Sequence, residues 1–142
     1  MKKCSICEQN PAIVLGCGPV HKMVCSEKCL KVYKSLSQNK RHLCWAHNIS
    51  IPNYLWLLDL QKSTCAVCRN TENLELDHDN KCCPRHTGVN GANLRFCGKC
   101  IRGLLCKPCN RMLSFYEIHG GGLSIPDFDA YLAKGFVNFE MG

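Results

Sequence analysis

The chain has 142 residues, 14 of them cysteine, and a formal charge of +7 from 18 Lys/Arg against 11 Asp/Glu. That length suits one ordinary domain or two small ones, and so dense a cysteine content points to staples in place of a large core. The longest apolar run, YLWLL at 54–58, is far too short to span a bilayer.

MKKCSICEQN carries no apolar stretch behind its lysines, so it does not read as a signal peptide. No membrane partner is expected. The expected location is the cytoplasm, where thiols stay reduced and paired cysteines are more often metal ligands than disulfides. If two all-cysteine sites bind zinc, eight thiolates and two dications lower the net charge by four, to about +3. Residues 1–48 hold eight Lys/Arg against two Glu, while 49–142 hold ten against nine acidic residues. A basic N-terminal third suits an anionic partner such as nucleic acid, though a lysine-rich soluble face reads equally from charge alone.

Two units follow, 1–48 and 49–142. The first is a zinc-finger-like module with Cys4, Cys7, Cys25 and Cys29 as ligands. Its order is a knuckle, a hairpin containing GCGPVHK, and a helix start capped by Ser26. Cys17 and His21 are possible substitute ligands. This part loosely resembles treble-clef or ribbon-like fingers, and a staple that binds no partner is the alternative. Residues 35–48 read as the end of that helix and a connector. They contain a basic run with Lys40 and Arg41 beside Trp45, suited to phosphates and base stacking or equally to a solvated helix with Trp45 packed inward. Cys44 reads as a small buried apolar residue.

Ser-Ile-Pro-Asn from Ser50 predicts a helix with an N-cap and an early proline, running to Gln61 and apolar on a face broad enough to bury against several neighbours. Next come CAVC at 65–68, LELDHDN at 74–80 and IRGLLCKPCN at 101–110. Two Cys-x-x-Cys knuckles, Cys65/Cys68 and Cys106/Cys109, fit a structural zinc that pins a hairpin onto a helix. The helix begins near Pro108 and stops at Gly120-Gly121-Gly122. A last short helix capped at Ser124 buries Phe128, Tyr131 and Leu132; this tail is expected to pack and to carry no chemistry.

Metal-dependent phosphodiester hydrolysis needs a carboxylate for a hard cation, an imidazole to take a proton from water, and fixed geometry between them. Asp77 fills the first role. His78 fills the second, since an unperturbed histidine pKa of about 6.5 leaves much of it neutral. On a short strand the two point to opposite faces or lie at the strand end. Asn110, directly after Cys109, can complete a Mg²⁺ shell. Taken singly, DHDN reads as a polar turn and Asn110 as a helix cap; the combination between zinc knuckles favours catalysis.

ISIPNYLWLLDLQKSTCAVC, LELDHDN and IRGLLCKPCNRML within residues 49–118 resemble the phage recombination endonuclease VII family, a branch of the ββα-metal, HNH-like nucleases. The implied fold class is a small, zinc-stapled α+β protein with a ββα-metal nuclease core, flanking helices and the N-terminal zinc-finger-like module. The resemblance implies Asp77 and Asn110 as Mg²⁺ ligands (Mn²⁺ able to substitute), His78 as general base, and a structural Zn²⁺ on Cys65, Cys68, Cys106 and Cys109. It implies a homodimer that cleaves branched DNA, Holliday junctions above all, leaving 5′ phosphates, and the cytoplasm of an infected host if the chain is phage-encoded. Asn80 stands where the family often has a second histidine, and Ser114 where a glycine is common. An HNH-type nicking or homing endonuclease on ordinary duplex, or a non-catalytic zinc-finger DNA-binding protein, are the alternatives.

The segment 81–100 is long and adds FCGKC at 96–100. Cys97 and Cys100, with one of Cys82 or Cys83 and with His86, could form a further zinc site, since adjacent cysteines rarely share a tetrahedron. Arg85, Arg95, Lys99 and nearby Arg102, with Arg111, are expected to contact phosphates.

Overall fold

A computed structural model describes residues 2–4, 6–7, 9–11, 13–15, 22–83, 96–120 and 126–139. Cys17, His21, Arg85, His86, Arg95 and the Ser124 cap lie outside them. The described elements make a small α+β protein with five helices and two two-stranded antiparallel sheets. No helix among them is long and apolar enough to cross a membrane.

In the N-terminal module, β1 (Ile13–Leu15) pairs with β2 (Lys22–Val24), Ile13 opposite Val24. Helix α1 (Glu27–Ser35) follows, and Ser26 accepts the Cys29 N–H at 3.3 Å. Residues 35–48 are not a helix end with a connector. Leu36 is extended, Ser37 caps anew by accepting the Lys40 N–H, and α2 runs Gln38–Ala46. The second serine starts the second helix because its hydroxyl replaces a missing backbone partner. Although α2 reads in sequence with the first unit, its buried Cys44 lies in one cluster with Tyr54, Leu57, Leu76, Ile101 and Leu104.

Helix α3 (Ile51–Leu60) is capped by Ser50, which accepts the Asn53 N–H at 3.1 Å. Its apolar face touches three clusters: Ile51 reaches the N-terminal one and the central one, and Leu58 reaches the central one and the one around Cys65.

The centre is β3 (Leu74–His78) against β4 (Ile101–Cys106), running into α4 (Lys107–His119). Every β4 residue is buried. Ile101, Leu104 and Leu105 are fully enclosed, each side chain contributing about 1.5–3 kcal/mol relative to exposure. The outer edge of β4 is covered by Gln61, whose Oε1 accepts the Leu104 N–H at 2.9 Å and whose Nε2 donates to Leu104 O at 3.0 Å. Val137 N–H bonds Ile101 O at 2.7 Å. These buried backbone groups of Ile101 and Leu104 are therefore paired without a third strand. Last, α5 (Pro126–Ala133) buries Phe128 and Tyr131.

Candidate active site

The register places Asp77 opposite Gly103 and slips between Asp77 and His78, so that His78 faces Ile101. Strict alternation would send neighbouring side chains to opposite faces, but with this irregularity at the strand end both line one cleft of about 790 Å³. Asn110, Lys107 and Arg111 line it from the first turns of α4, and Glu75 lines it from β3. The structure thus brings Asp77, His78 and Asn110 to one place.

Asp77 is 3% exposed. Its Oδ2 accepts from Arg102 Nε at 2.7 Å and from the Tyr131 hydroxyl at 2.9 Å, and its Oδ1 accepts from Arg102 Nη2 at 3.1 Å. Burial pushes its carboxyl above the usual carboxylate range, and the bidentate Arg102 guanidinium and the Tyr131 hydroxyl offset that only in part. Gly103 makes room for this contact, since a Cβ there would sit 3.1 Å from the Tyr131 hydroxyl and 2.9 Å from Gln61 Oε1. The tail expected only to pack therefore reaches the site.

Arg102, expected at phosphates, is turned inward and is only 9% exposed. It bridges Asp77 to Glu117 of α4, donating from Nη2 to Glu117 Oε2 at 3.2 Å and from Nη1 to Oε1. Two carboxylates from different elements draw the guanidinium in, and a buried charge is tolerated only when paired. Lys40 and Arg41 are also engaged within the protein: Lys40 Nζ donates to Leu74 O at 3.2 Å, and Arg41 donates to Tyr33 O while stacking on its ring at 4.4 Å. Lys99 and Arg111 are exposed, and Arg111 borders the cleft beside Lys107, which the sequence reading missed.

Asn110 Nδ2 donates to Glu75 Oε2 at 2.8 Å. Glu75, two residues before Asp77 on the same strand face, was also missed; the alternation of LELDH carries that signal. Nothing in the sequence pointed to the rings around His78. Phe96 lies 3.9 Å from it and 4.9 Å from His47, and His47 stands edge-on to His78 at 5.4 Å. Burial lowers the His47 pKa against the pull of its bond to Leu43 O, so this imidazole is held neutral.

Among the described residues, cysteines gather in three groups whose sulfurs lie within 4.8 Å of one another within each group: Cys4/Cys7/Cys25/Cys29, Cys65/Cys68/Cys106/Cys109 and Cys82/Cys83/Cys97/Cys100. In the central group Cys68 and Cys106 Sγ are 3.5 Å apart. In the N-terminal group, Cys7–Cys25 and Cys25–Cys29 are 3.5 and 3.6 Å apart. Such separations are too long for a disulfide bond of about 2.05 Å and near the edge of about 3.8 Å expected for tetrahedral zinc with Zn–S of about 2.3 Å. Burial pushes the Cys65 thiol up, but the Cys68, Cys106 and Val67 backbone outweighs it and brings the pKa down to about 7. Both groups could hold a metal ion. Because Cys106 ends β4 and Cys109 lies in the first turn of α4, the central group joins strand, helix and knuckle one residue from Asn110.

Neither the curated proteins nor the solved structures give a match. The family model described as recombination endonuclease VII matches residues 39–117, from α2 into α4. It spans more than half of the chain and takes in every residue lining the cleft except Ile118, the central cysteine group and the third group. The chain belongs to the recombination endonuclease VII family, a family of nucleases.

Proposed function

We propose that the protein is a Mg²⁺-dependent endonuclease that hydrolyses phosphodiester bonds in branched DNA, four-way junctions among them, leaving 5′ phosphates. The observation carrying this reading is the convergence of Asp77, His78 and Asn110 on one cleft bordered by Lys107 and Arg111. The order β3–β4–α4 agrees with the ββα-metal arrangement of such nucleases. Units divided near residue 37 suit the packing of α2 better than a boundary at 48.

The donor set suits a hard cation, for Glu75 offers a carboxylate, Asn110 an amide oxygen, and Asp77 its Oδ1, which takes a single bond from Arg102. With Nδ2 committed to Glu75, that oxygen is what Asn110 has to offer. Asp77 and Asn110 would hold the Mg²⁺, with Mn²⁺ able to substitute and Glu75 as a third oxygen donor in the cleft. When bound, the cation supplies Lewis-acid polarisation of the scissile phosphate and neutralises charge on the leaving 3′ oxygen. His78 takes a proton from water at a ring nitrogen. Phe96 covers one face of that ring at 3.9 Å, so packing sets its orientation. Arg102 and Tyr131 fix the Asp77 carboxylate. Arg111, Lys107 and Lys99 bind the DNA backbone. Structural Zn²⁺ would be held by Cys65, Cys68, Cys106 and Cys109 and by Cys4, Cys7, Cys25 and Cys29.

A homodimer is supported by Met112 and Phe115, exposed on α4 at 57% and 67%, and by Ile118, exposed at 73% at the edge of the cleft. Such an apolar stripe suits an interface, and two symmetric nicks need two active sites. The test offers Mg²⁺ and matched four-way junction, linear duplex and single-stranded DNA, beside His78→Ala. Cutting should favour the junction, and His78→Ala should lose at least about 100-fold. Equal cutting of duplex and junction would remove the branched-DNA reading, and no cutting at all would remove the enzyme.

A further inference from the structure

We infer that Cys82, Cys83, Cys97 and Cys100 hold a third zinc ion, and that this ion joins the chain on either side of residues 84–95 so that Phe96 is held against His78. The expectation of one cysteine from the adjacent pair, with His86, is replaced by a group using both. A tight turn makes this possible: the N–H groups of Cys82 and Cys83 both donate to Asp79 O, at 3.1 and 2.9 Å. Their side chains then converge, and all four sulfurs lie within 4.8 Å of one another. Cys82 and Cys97 Sγ are 3.9 Å apart, against the edge of about 3.8 Å for tetrahedral zinc–thiolate.

The backbone carrying these ligands is arranged as in the other two groups. The Lys99 N–H points at Cys97 Sγ at 3.3 Å, as Val67 does at Cys65 (3.4 Å) and Ile6 at Cys4 (3.5 Å). Cys97 N–H adds a contact to Cys83 Sγ at 3.4 Å. Backbone donors placed on sulfur favour thiolate over thiol. On zinc binding, four thiols lose their protons to solvent and the site carries a net charge of −2, beside the exposed Lys81 and Lys99.

The group is tied to the catalytic cleft at three points. Asp79, next to His78, donates its N–H to Cys100 O at 3.0 Å. Phe96, next to Cys97, donates its N–H to Ala46 O at 2.8 Å and lays its ring on His78. Gly98 has φ +77, and a Cβ on it would lie 2.4 Å from Asn48 O, so the knuckle is pressed onto the turn after α2, where only glycine fits. An ion bound here therefore fixes both partners of the Phe96–His78 contact. The zinc assignment stands alone, while its catalytic consequence rests on the proposed function.

The test counts metal, and so does not depend on cleavage. Native mass spectrometry of the zinc-loaded full chain is compared with Cys82→Ser/Cys97→Ser, which should carry one zinc fewer; an equal count overturns the site. Because the variant could misfold, wild-type thiols are also mapped by alkylation. Cys82, Cys83, Cys97 and Cys100 should react at least tenfold faster once a chelator is added, and an unchanged rate overturns the site independently. Histidine NMR reads the second part: the His78 ring resonances should shift in the variant, and unchanged resonances overturn the link to the cleft.

Discussion

Tyr131 donates its hydroxyl hydrogen to Asp77 Oδ2 at 2.9 Å, across 54 positions of sequence. The last described helix thus supports the carboxylate of a residue that lines the cleft, and Gly103 is the opening that lets the phenol reach it. Tyr131→Phe keeps the ring packed against Phe128, Leu105 and Leu113 and removes one hydrogen bond to a charged acceptor. It should cost about 1.5–3 kcal/mol, read as a lower denaturant midpoint, with the zinc content unchanged.

Arg102→Met should be more severe. It leaves the Asp77 carboxylate buried without its guanidinium and releases Glu117, at a cost of about 3–5 kcal/mol. Burial already raises the Asp77 pKa in the wild type, and without the guanidinium only the Tyr131 hydroxyl opposes it, so the pKa rises further above its unfolded value. The penalty is then full at neutral pH and shrinks as pH falls toward the unfolded value of about 3.9. Unfolding of variant and wild type at several pH values should show the gap narrowing in acid.

Glu75 holds Asn110 at 2.8 Å and faces the same cleft. Glu75→Gln keeps an acceptor oxygen for the Asn110 amide but removes the charge. The Mg²⁺ concentration for half-maximal cleavage should rise about tenfold or more, with little change at saturating metal. An unchanged Mg²⁺ dependence would leave Glu75 only as a support for Asn110.

His47 is buried beside His78 and Phe96, and burial depresses its pKa. The unfolded chain takes up a proton near pH 6.5 that the folded protein resists. Stability due to this site is therefore present above about pH 6.5 and falls as pH drops below it. His47→Phe, which keeps a ring in the pocket, should flatten that decline, measured by thermal unfolding between neutral and mildly acidic pH.

The local signals in the sequence were read where the chemistry is local. Ser26 and Ser50 cap the helices assigned to them because a serine before an apolar period has one good use. The second cap at Ser37 went unread because α1 and α2 join with only Leu36 and Ser37 between them, and a continuous helix fits the same letters. The Cys-x-x-Cys spacing announced the central cysteine group, since that spacing lets one ion hold both sulfurs. The third group was only half legible, because the turn at Asp79 that converges Cys82 and Cys83 is not written in their adjacency.

By itself the sequence determined the cysteine spacing, the helix starts, and the family to which residues 39–117 belong. All of these depend on short-range spacing or on residue identity. Tertiary structure alone decided what the charges do. It turned Arg102 from a phosphate contact into the bridge between Asp77 and Glu117, made Glu75 the partner of Asn110, and set Phe96 and His47 around His78. Those outcomes follow from which buried charge finds a partner when β4 and α4 close on β3. Such long-range pairing is fixed by burial and carries no spacing in the chain.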